Sequence, residues 1–406
     1  MTDATPAPRP AAPLPLLALS IFAANLGLGI IFPLVPHLAG TATAGPAAVG
    51  WIFSSYSLTL VLAQVAGGVL ADRLDEARVL RWALWAYFLT LVGFAVSRDV
   101  PWLMLNRAFE GAAVGLIIPC VMKLVVRSVP IEKRGRGIGF VMGLGGTGFI
   151  IGPLLGGYLA QFGLALPFLA AALVAGVAAV GVSLGVRAGA PAPDPTPLPR
   201  VVAHEMRHFG VLLATPAFLA LVLPLMAFKA NFSTLQAGLP LVGDQVLGVG
   251  VPEVSYLFVL TAVLFGLVQP LAGRLADRYP TGGLVVAMLA LMGPLAAWLA
   301  FQHSYWAFLP AFAAYSACQS AGVLFALKHI GDGVGEGAQG RSFGLASAMG
   351  DVGMVILPSV LLPLYAWRHE ALFLALGAVM WGFLLAFKLL GRPTRTVANP
   401  IQPPAV

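Results

Sequence analysis

The chain has 406 residues, of which 59% are hydrophobic and only 10% charged, with a formal net charge of +7 and a mean hydropathy of +0.91. A water-soluble chain carries about 25% charged residues, so the composition excludes a soluble enzyme or binding domain and makes lipid the solvent. Cys120 and Cys318 both fall in apolar runs and give no disulfide framework.

Apolar runs of about 20 residues, each able to cross a hydrocarbon core of about 30 Å as a helix, follow one another along the chain. They predict twelve spans, at 14–37, 47–71, 79–97, 102–126, 137–161 and 165–187, then at 213–238, 252–274, 282–301, 305–328, 342–366 and 371–391. None alternates with period two, which excludes a barrel, and in lipid the backbone is otherwise satisfied only in a helix. The first run is too long for a signal peptide and has no basic stretch before it beyond Arg9, so it reads as a membrane anchor. The predicted organisation is a polar tail at 1–13, a six-helix bundle at 14–187, a Pro-rich linker at 188–212, a second six-helix bundle at 213–391 and a polar tail at 392–406.

The two bundles read as copies of one unit. Gly68-Val-Leu-Ala-Asp72-Arg73 returns as Gly273-Arg-Leu-Ala-Asp277-Arg278, an offset of 277 − 72 = 205, and the same offset carries Lys123 to Lys328, Gly148 to Gly353 and Pro153 to Pro358. Lys and Arg crowd the tails and the loops after even-numbered spans, whereas the opposite loops hold only Arg98 and Arg368. Both termini are therefore expected in the cytoplasm. This asymmetry, facing anionic lipid headgroups, accounts for the basic charge without any nucleic acid.

Charge inside the membrane marks the candidate site, because each such residue costs at least ~2.5 kcal/mol at a helix centre. Four residues qualify: Arg107 and Glu110 in the fourth span, Lys229 in the seventh and Asp351 in the eleventh. At 1.5 Å per residue, Glu110 lies roughly 13 Å and Asp351 roughly 15 Å from the nearer span ends, both close to the midplane. Arg107 and Glu110, spaced i, i+3, can pair with each other. Asp351 has no charged neighbour within a turn, and a lone carboxylate in such surroundings is expected to hold a proton much of the time. Glu110, Asp351 and Arg107 are thus the proton-coupling candidates. Lys229 either snorkels to the outer interface or lines a cavity with Asn231 and Gln236, which, with Asn25, are the substrate-binding candidates. Phe32, Trp51, Tyr56, Met142, Phe228 and Phe258 are candidates for an apolar lining. No His or Cys spacing suggests a metal site, and the glycines from Gly143 to Gly148 lie in a span, where they pack helices instead of cradling phosphate.

Four phrases together resemble the major facilitator superfamily, and within it the twelve-helix drug:proton antiporters. Gly68-x-Leu70-Ala71-Asp72-Arg73 resembles the loop signature between spans two and three, and Asn106-Arg107-Ala-Phe-Glu110-Gly111 resembles the fourth-helix signature. Gly148-Phe-Ile-Ile-Gly152-Pro153-Leu-Leu-Gly156-Gly157 resembles the fifth-helix antiporter signature, and Gly29-Ile-Ile-Phe-Pro33 resembles the end of the first helix. Two positions depart from the pattern: Leu74-Asp75-Glu76-Ala77-Arg78 replaces a glycine and basic residues, and Glu110 stands where glutamine is usual.

The resemblance implies an all-α polytopic membrane protein, two six-helix halves related by a pseudo-twofold, working by alternating access around a central site. It implies no enzyme activity and no cofactor or metal. The expected activity is proton-coupled efflux of a small amphipathic or drug-like compound by a monomer in the bacterial inner membrane, with protons, membrane lipids and the substrate as partners. Gly68, Asp72, Arg73, Arg78, Asp277 and Arg278 are the implied cytoplasmic gate. Gly148, Gly152, Pro153, Gly156 and Gly157 are the implied hinge and seal between the halves. Alternative readings are an organic-anion or sugar transporter using Arg107 and Lys229, and a non-transporting receptor or lipid-handling protein that retains the fold.

Overall fold

The computed structural model describes residues 12–38, 41–73, 75–97, 99–130, 133–187, 207, 216–333 and 339–390, with the side chains at 36, 41–44, 65–73, 217 and 339–346 outside that description. The tails apart from Ala12 and Pro13, and the linker apart from Arg207, therefore lie outside the described residues.

In chain order the first half comprises α1 (Leu14–Leu38), α2 (Thr41–Arg73), α3 (Glu76–Val96), α4 (Val100–Ser128), α5 (Arg134–Gly146), α6 (Gly148–Ala160) and α7 (Leu166–Gly185). The second comprises α8 (Pro216–Gln245), α9 (Val251–Arg278), α10 (Thr281–Ala300), α11 (Tyr305–Gly333), α12 (Gln339–Tyr365) and α13 (His369–Leu390). Twelve units are long and apolar enough to cross a membrane, α5 and α6 together forming the fifth. Large apolar side chains cover the outside, with Leu89, Leu173, Leu184 and Leu267 all more than 60% exposed, an arrangement that water would not tolerate. Cys120 and Cys318 are buried and free.

Several helices outrun their apolar cores. The Gly-x-Leu-Ala-Asp-Arg phrase, expected in loops, forms the last turns of α2 and α9, and in α9 the terminal Arg278 complements the helix dipole. The Leu74-Asp75-Glu76 departure starts α3: Asp75 takes a positive φ of 71° and its carboxylate accepts from the Ala77 amide at 3.0 Å, while Glu76 pairs with Arg127 of α4. The fifth span breaks at Thr147, where glycines at 143, 145, 146 and 148 weaken the helix. Thr147 Oγ1 there donates to the Leu144 carbonyl at 2.6 Å. Asn25 of α1 spans the same region by donating to the Gly145 carbonyl at 3.1 Å.

Two helix pairs, α2 with α12 and α6 with α9, make the main contacts between the halves. The 205-residue offset maps α2 onto α9 and the fifth span onto α12, so the pseudo-twofold exchanges one contact for the other. Both close tightly on the face opposite the chain ends. A Cβ on Gly50 would stand 2.7 Å from the Pro358 carbonyl oxygen, and one on Gly157 would stand 2.5 Å from Ser255 Oγ. Between them Phe32 stacks on Phe53 at 5.9 Å and on Phe258 of the other half at 5.8 Å. Toward the face carrying the chain ends, called the basic face below, Gly135, Gly139 and Gly143 of α5 and Gly266 and Gly273 of α9 have no described atom within 4 Å of a Cβ position.

Candidate functional site

The fourth span carries the first buried ion pair. Asp99 caps α4 by accepting from the Trp102 amide at 2.9 Å, and the i, i+3 spacing then sets Arg107 and Glu110 on one face. Arg107 Nη1 donates to Glu110 Oε2 at 2.6 Å, with the side chains 1% and 0% exposed. The guanidinium lies 4.2 Å from the ring centroid of Tyr56 and 5.4 Å from that of Phe53, a cation–π contact worth about 2 kcal/mol where water is excluded. Both rings come from α2, which approaches closely because Gly111 and Gly115 of α4 face its Tyr56 and Leu60 carbonyls. Thr59 Oγ1 adds a hydrogen bond to the Ala108 carbonyl at 2.6 Å. The pair is incompletely satisfied: Glu110 Oε1 and Arg107 Nε are buried without a partner among the described residues.

The second pair joins α8 to α12. Lys229 Nζ donates to Asp351 Oδ1 at 2.6 Å, to Ser347 Oγ at 2.9 Å and to the Ser347 carbonyl at 3.1 Å. All three ammonium protons are thereby used. Gly350 makes room for the lysine stem, since a Cβ there would stand 2.9 Å from Lys229 Cδ. This corrects one expectation and removes one alternative. Asp351 is not a lone carboxylate, and the outward-snorkelling alternative for Lys229 falls, because the pairing offsets the cost that either charge would carry alone. The four membrane charges thus form two neutralised pairs.

Tyr56, whose ring faces the Arg107 guanidinium, lies on α2, the helix that contacts both α4 of its own half and α12 of the other.

The polar substrate candidates are placed less openly than expected. Asn231 is fully buried, with Oδ1 accepting from the Tyr315 hydroxyl at 2.8 Å and Nδ2 without a partner among the described residues. Gln236 is buried, and Asn25 is engaged with the fifth span. Of the apolar candidates, Trp51 and Met142 are 54% and 42% exposed, Phe228 packs over Gly322, and Phe32 and Phe258 belong to the stack between the halves.

Among the gate candidates, the side chains of Gly68, Asp72 and Arg73 lie outside the described residues. Asp277 accepts from Lys328 at 2.6 Å, and Arg278 and Arg78 are exposed. The fifth-helix glycines divide by role. Gly148, Gly152 and Gly156 pack on α1 around Leu26, Gly29 and Ile30, with Pro153 also against Gly29, so their closeness is within the first half. Gly157 is the one of these five that meets the second half, at Ser255. Small residues at four-residue spacing serve whichever helix lies on that face, and the spacing alone does not name it.

Tyr56, Tyr315, Gln319 and Ser347 were not singled out as polar site residues. The Lys229–Asp351 pairing had a signal in the sequence: once Arg107 and Glu110 satisfy each other, the two remaining membrane charges have opposite signs and are costly apart. Gln319, donating to the Phe228 carbonyl at 2.6 Å, offered none. Among the described residues, no group of three His, Cys, Asp or Glu side chains is arranged to hold a metal ion.

Comparison with known proteins agrees with this geometry. The sequence model of the Major Facilitator Superfamily matches residues 17–265 and 244–405. Multidrug resistance protein 1 of Bacillus subtilis is 30% identical over 173 residues, covering 41% of this chain and 43% of that protein. Quinolone resistance protein NorA of Staphylococcus aureus is 28% identical over 153 residues, covering 37% and 39%. The matched region thus spans about two fifths of the length of these relatives. Among solved structures, an inward-facing, occupied bacterial homologue of the human lysosomal transporter Spinster superposes with a TM-score of 0.76 at 16% identity, over 97% of this chain and 98% of that one. A peptide transporter in complex with sulfate gives 0.74 at 16%, over 93% and 94%. The fold is theirs, and the family match extends over most of the sequence: the chain belongs to the major facilitator superfamily.

Proposed function

We propose that the protein is a secondary active transporter that exports a small amphipathic or drug-like compound in exchange for protons. The observation that carries this reading is the pair of buried ion pairs, Arg107–Glu110 and Lys229–Asp351, one in each half. Intramembrane ion pairs are costly to keep, and membrane carboxylates as a rule mark ion pathways. Glu110 Oε1 is a vacant acceptor, so a proton can settle there while Oε2 keeps its contact with Arg107. Protonation of Asp351 releases Lys229, whose side chain is 23% exposed, and frees the α8–α12 contact to rearrange. Each inward proton contributes ~2.3 kcal/mol per 100 mV of membrane potential.

In this reading the basic face is cytoplasmic, by the distribution of Lys and Arg. The tight Gly50–Pro358 and Gly157–Ser255 approaches then close the outside, while α5 and α9 stand apart toward the cytoplasm. Partial relatedness to proteins named for multidrug and quinolone resistance supports efflux of such compounds. An anion-binding site built on Arg107 and Lys229 is disfavoured, since each cation already faces a carboxylate at 2.6 Å.

Substrate-dependent proton flux in proteoliposomes tests the proposal. Counterflow of a lipophilic dye or quinolone against an imposed pH gradient is expected. Binding without proton movement would favour a receptor or lipid-handling role, and proton-independent uptake of sugars or organic anions would favour the other transport reading.

A further inference from the structure

On the outer wall of the first half, where α3 and α7 run side by side, a groove of about 560 Å³ opens near the basic face, lined by Arg78, Arg81, Trp82, Trp85 and Ser183. It shares no residue with the ion pairs. The four α3 residues follow i, i+3, i+4, i+7 and so form one stripe of the helix. The arginines lie in its first turns, and the tryptophans continue the stripe deeper into the bilayer. From Arg78 to Trp85 the stripe covers ~10 Å, about the depth of one headgroup layer and the top of the acyl chains.

Nearby acids are engaged elsewhere: the Asp75 carboxylate caps the Ala77 amide, and Glu76 pairs with Arg127. Arg81 Nε donates to the Ala77 carbonyl at 3.3 Å, which braces the guanidinium and leaves its terminal nitrogens as donors. Neither Arg78 nor Arg81 forms an ion pair among the described residues. Trp82 and Trp85 are 57% and 40% exposed, and Trp85 is held edge-on by Phe88 at 5.7 Å, which itself rests on Gly176 of α7. The Ser183 hydroxyl spends its proton on the Ala179 carbonyl at 2.6 Å, so it offers the groove only lone pairs.

We propose that this groove is a site for one anionic phospholipid bearing a hydroxylated headgroup. Its phosphate bridges Arg78 and Arg81, matching planar guanidinium donors to phosphate oxygens. A headgroup hydroxyl donates to Ser183, and the glycerol backbone and upper chains lie along Trp82 and Trp85, as interfacial tryptophans favour. Two unpaired arginines beside an apolar aromatic wall fit an amphiphile better than a free anion, which would leave the tryptophans unused.

The test is native mass spectrometry of the full chain in detergent, titrated with phosphatidylglycerol or phosphatidylcholine. The expected result is one phosphatidylglycerol retained about tenfold more tightly than phosphatidylcholine. That preference should vanish in Arg78→Gln/Arg81→Gln, survive in large part in Arg78→Lys/Arg81→Lys, and resist inorganic phosphate in tenfold excess over lipid. Equal retention of the two lipids, an unchanged preference in the glutamine variant, or displacement by phosphate would each overturn the site. Thermal unfolding of the variants in detergent separates loss of the site from loss of the fold, and a shared drop in melting temperature with retained lipid preference would also count against it.

Discussion

Lys229 and Asp351, 122 positions apart in sequence, meet at 2.6 Å between α8 and α12. The lysine stem runs over Gly350, and its ammonium spends its remaining protons on Ser347, one turn before the aspartate on the same helix. One end of this contact is nearly closed to water, with Asp351 at 4% and Lys229 at 23% side-chain exposure. Arg107–Glu110 is sealed at both ends. The two pairs therefore answer differently to substitution.

Asp351→Asn should leave the Lys229 ammonium without its counter-ion. The expected stability loss is about 1–3 kcal/mol, below the 3–5 of a fully buried broken pair because Lys229 is partly solvated. The double variant Lys229→Gln/Asp351→Asn should recover most of that loss. Thermal unfolding of all three proteins in detergent checks the coupling; simple additivity would mean that the contact contributes nothing.

Lys229→Gln alone leaves the negative charge of Asp351 uncompensated. Affinity for a permanent cation should then rise roughly tenfold, about 1.4 kcal/mol, while a matched neutral compound changes little. Fluorescence titration with a cationic and a neutral dye reads this out, and equal responses to the two would place Lys229 outside the substrate cavity.

Glu110→Gln keeps the shape of the fourth-span site but removes its proton acceptor. Uphill export should be lost while downhill exchange and binding persist within a few-fold. Proton flux and counterflow in the same proteoliposomes decide it. Undiminished uphill transport in Glu110→Gln, in Asp351→Asn and in the double variant would remove both carboxylates from coupling.

Asp277→Asn breaks the contact with Lys328 at the basic face, and Asp72→Asn alters the repeated position in the first half. Both are expected to slow exchange between conformations and to leave substrate affinity within a few-fold. Distance-reporting labels across α5 and α9, with a parallel binding titration, distinguish a gate from a binding residue. Weak binding with normal exchange would reassign them.

Orientation has its own measurement. A cysteine at Pro195 should resist an impermeant thiol reagent in intact cells and react after permeabilisation, whereas one at Gln302 should react at once. The reverse pattern would invert the topology.

The twelve spans were legible because membrane crossing is a local property: an apolar run of sufficient length declares itself, and the Asp72 and Asp277 phrases declare the repeat. The Arg107–Glu110 pair was legible for the same reason, three residues apart on one helix. Lys229–Asp351 lay one step further, in the charge balance of the whole membrane domain. What could not be read was which helix each face meets. Gly148, Gly152 and Gly156 advertise a close neighbour without saying that it is α1, and the contacts of Asn231 and Gln319 depend on how α8 meets α11.

Gly139 of α5 and Gly273 of α9 each lie five residues from the basic-face end of their span, and neither has a described atom within 4 Å of its Cβ position. Alanine or leucine would pack lipid equally well there, and glycine weakens each helix by about 1 kcal/mol. Such a cost is unrewarded in the arrangement described. In the proposed cycle it would be recovered where α5 and α9 approach each other, as α6 already approaches α9 at Gly157 and Ser255 on the opposite face. Under the proposed transport cycle, these bare stretches of α5 and α9 are the surfaces that would meet when the basic face closes.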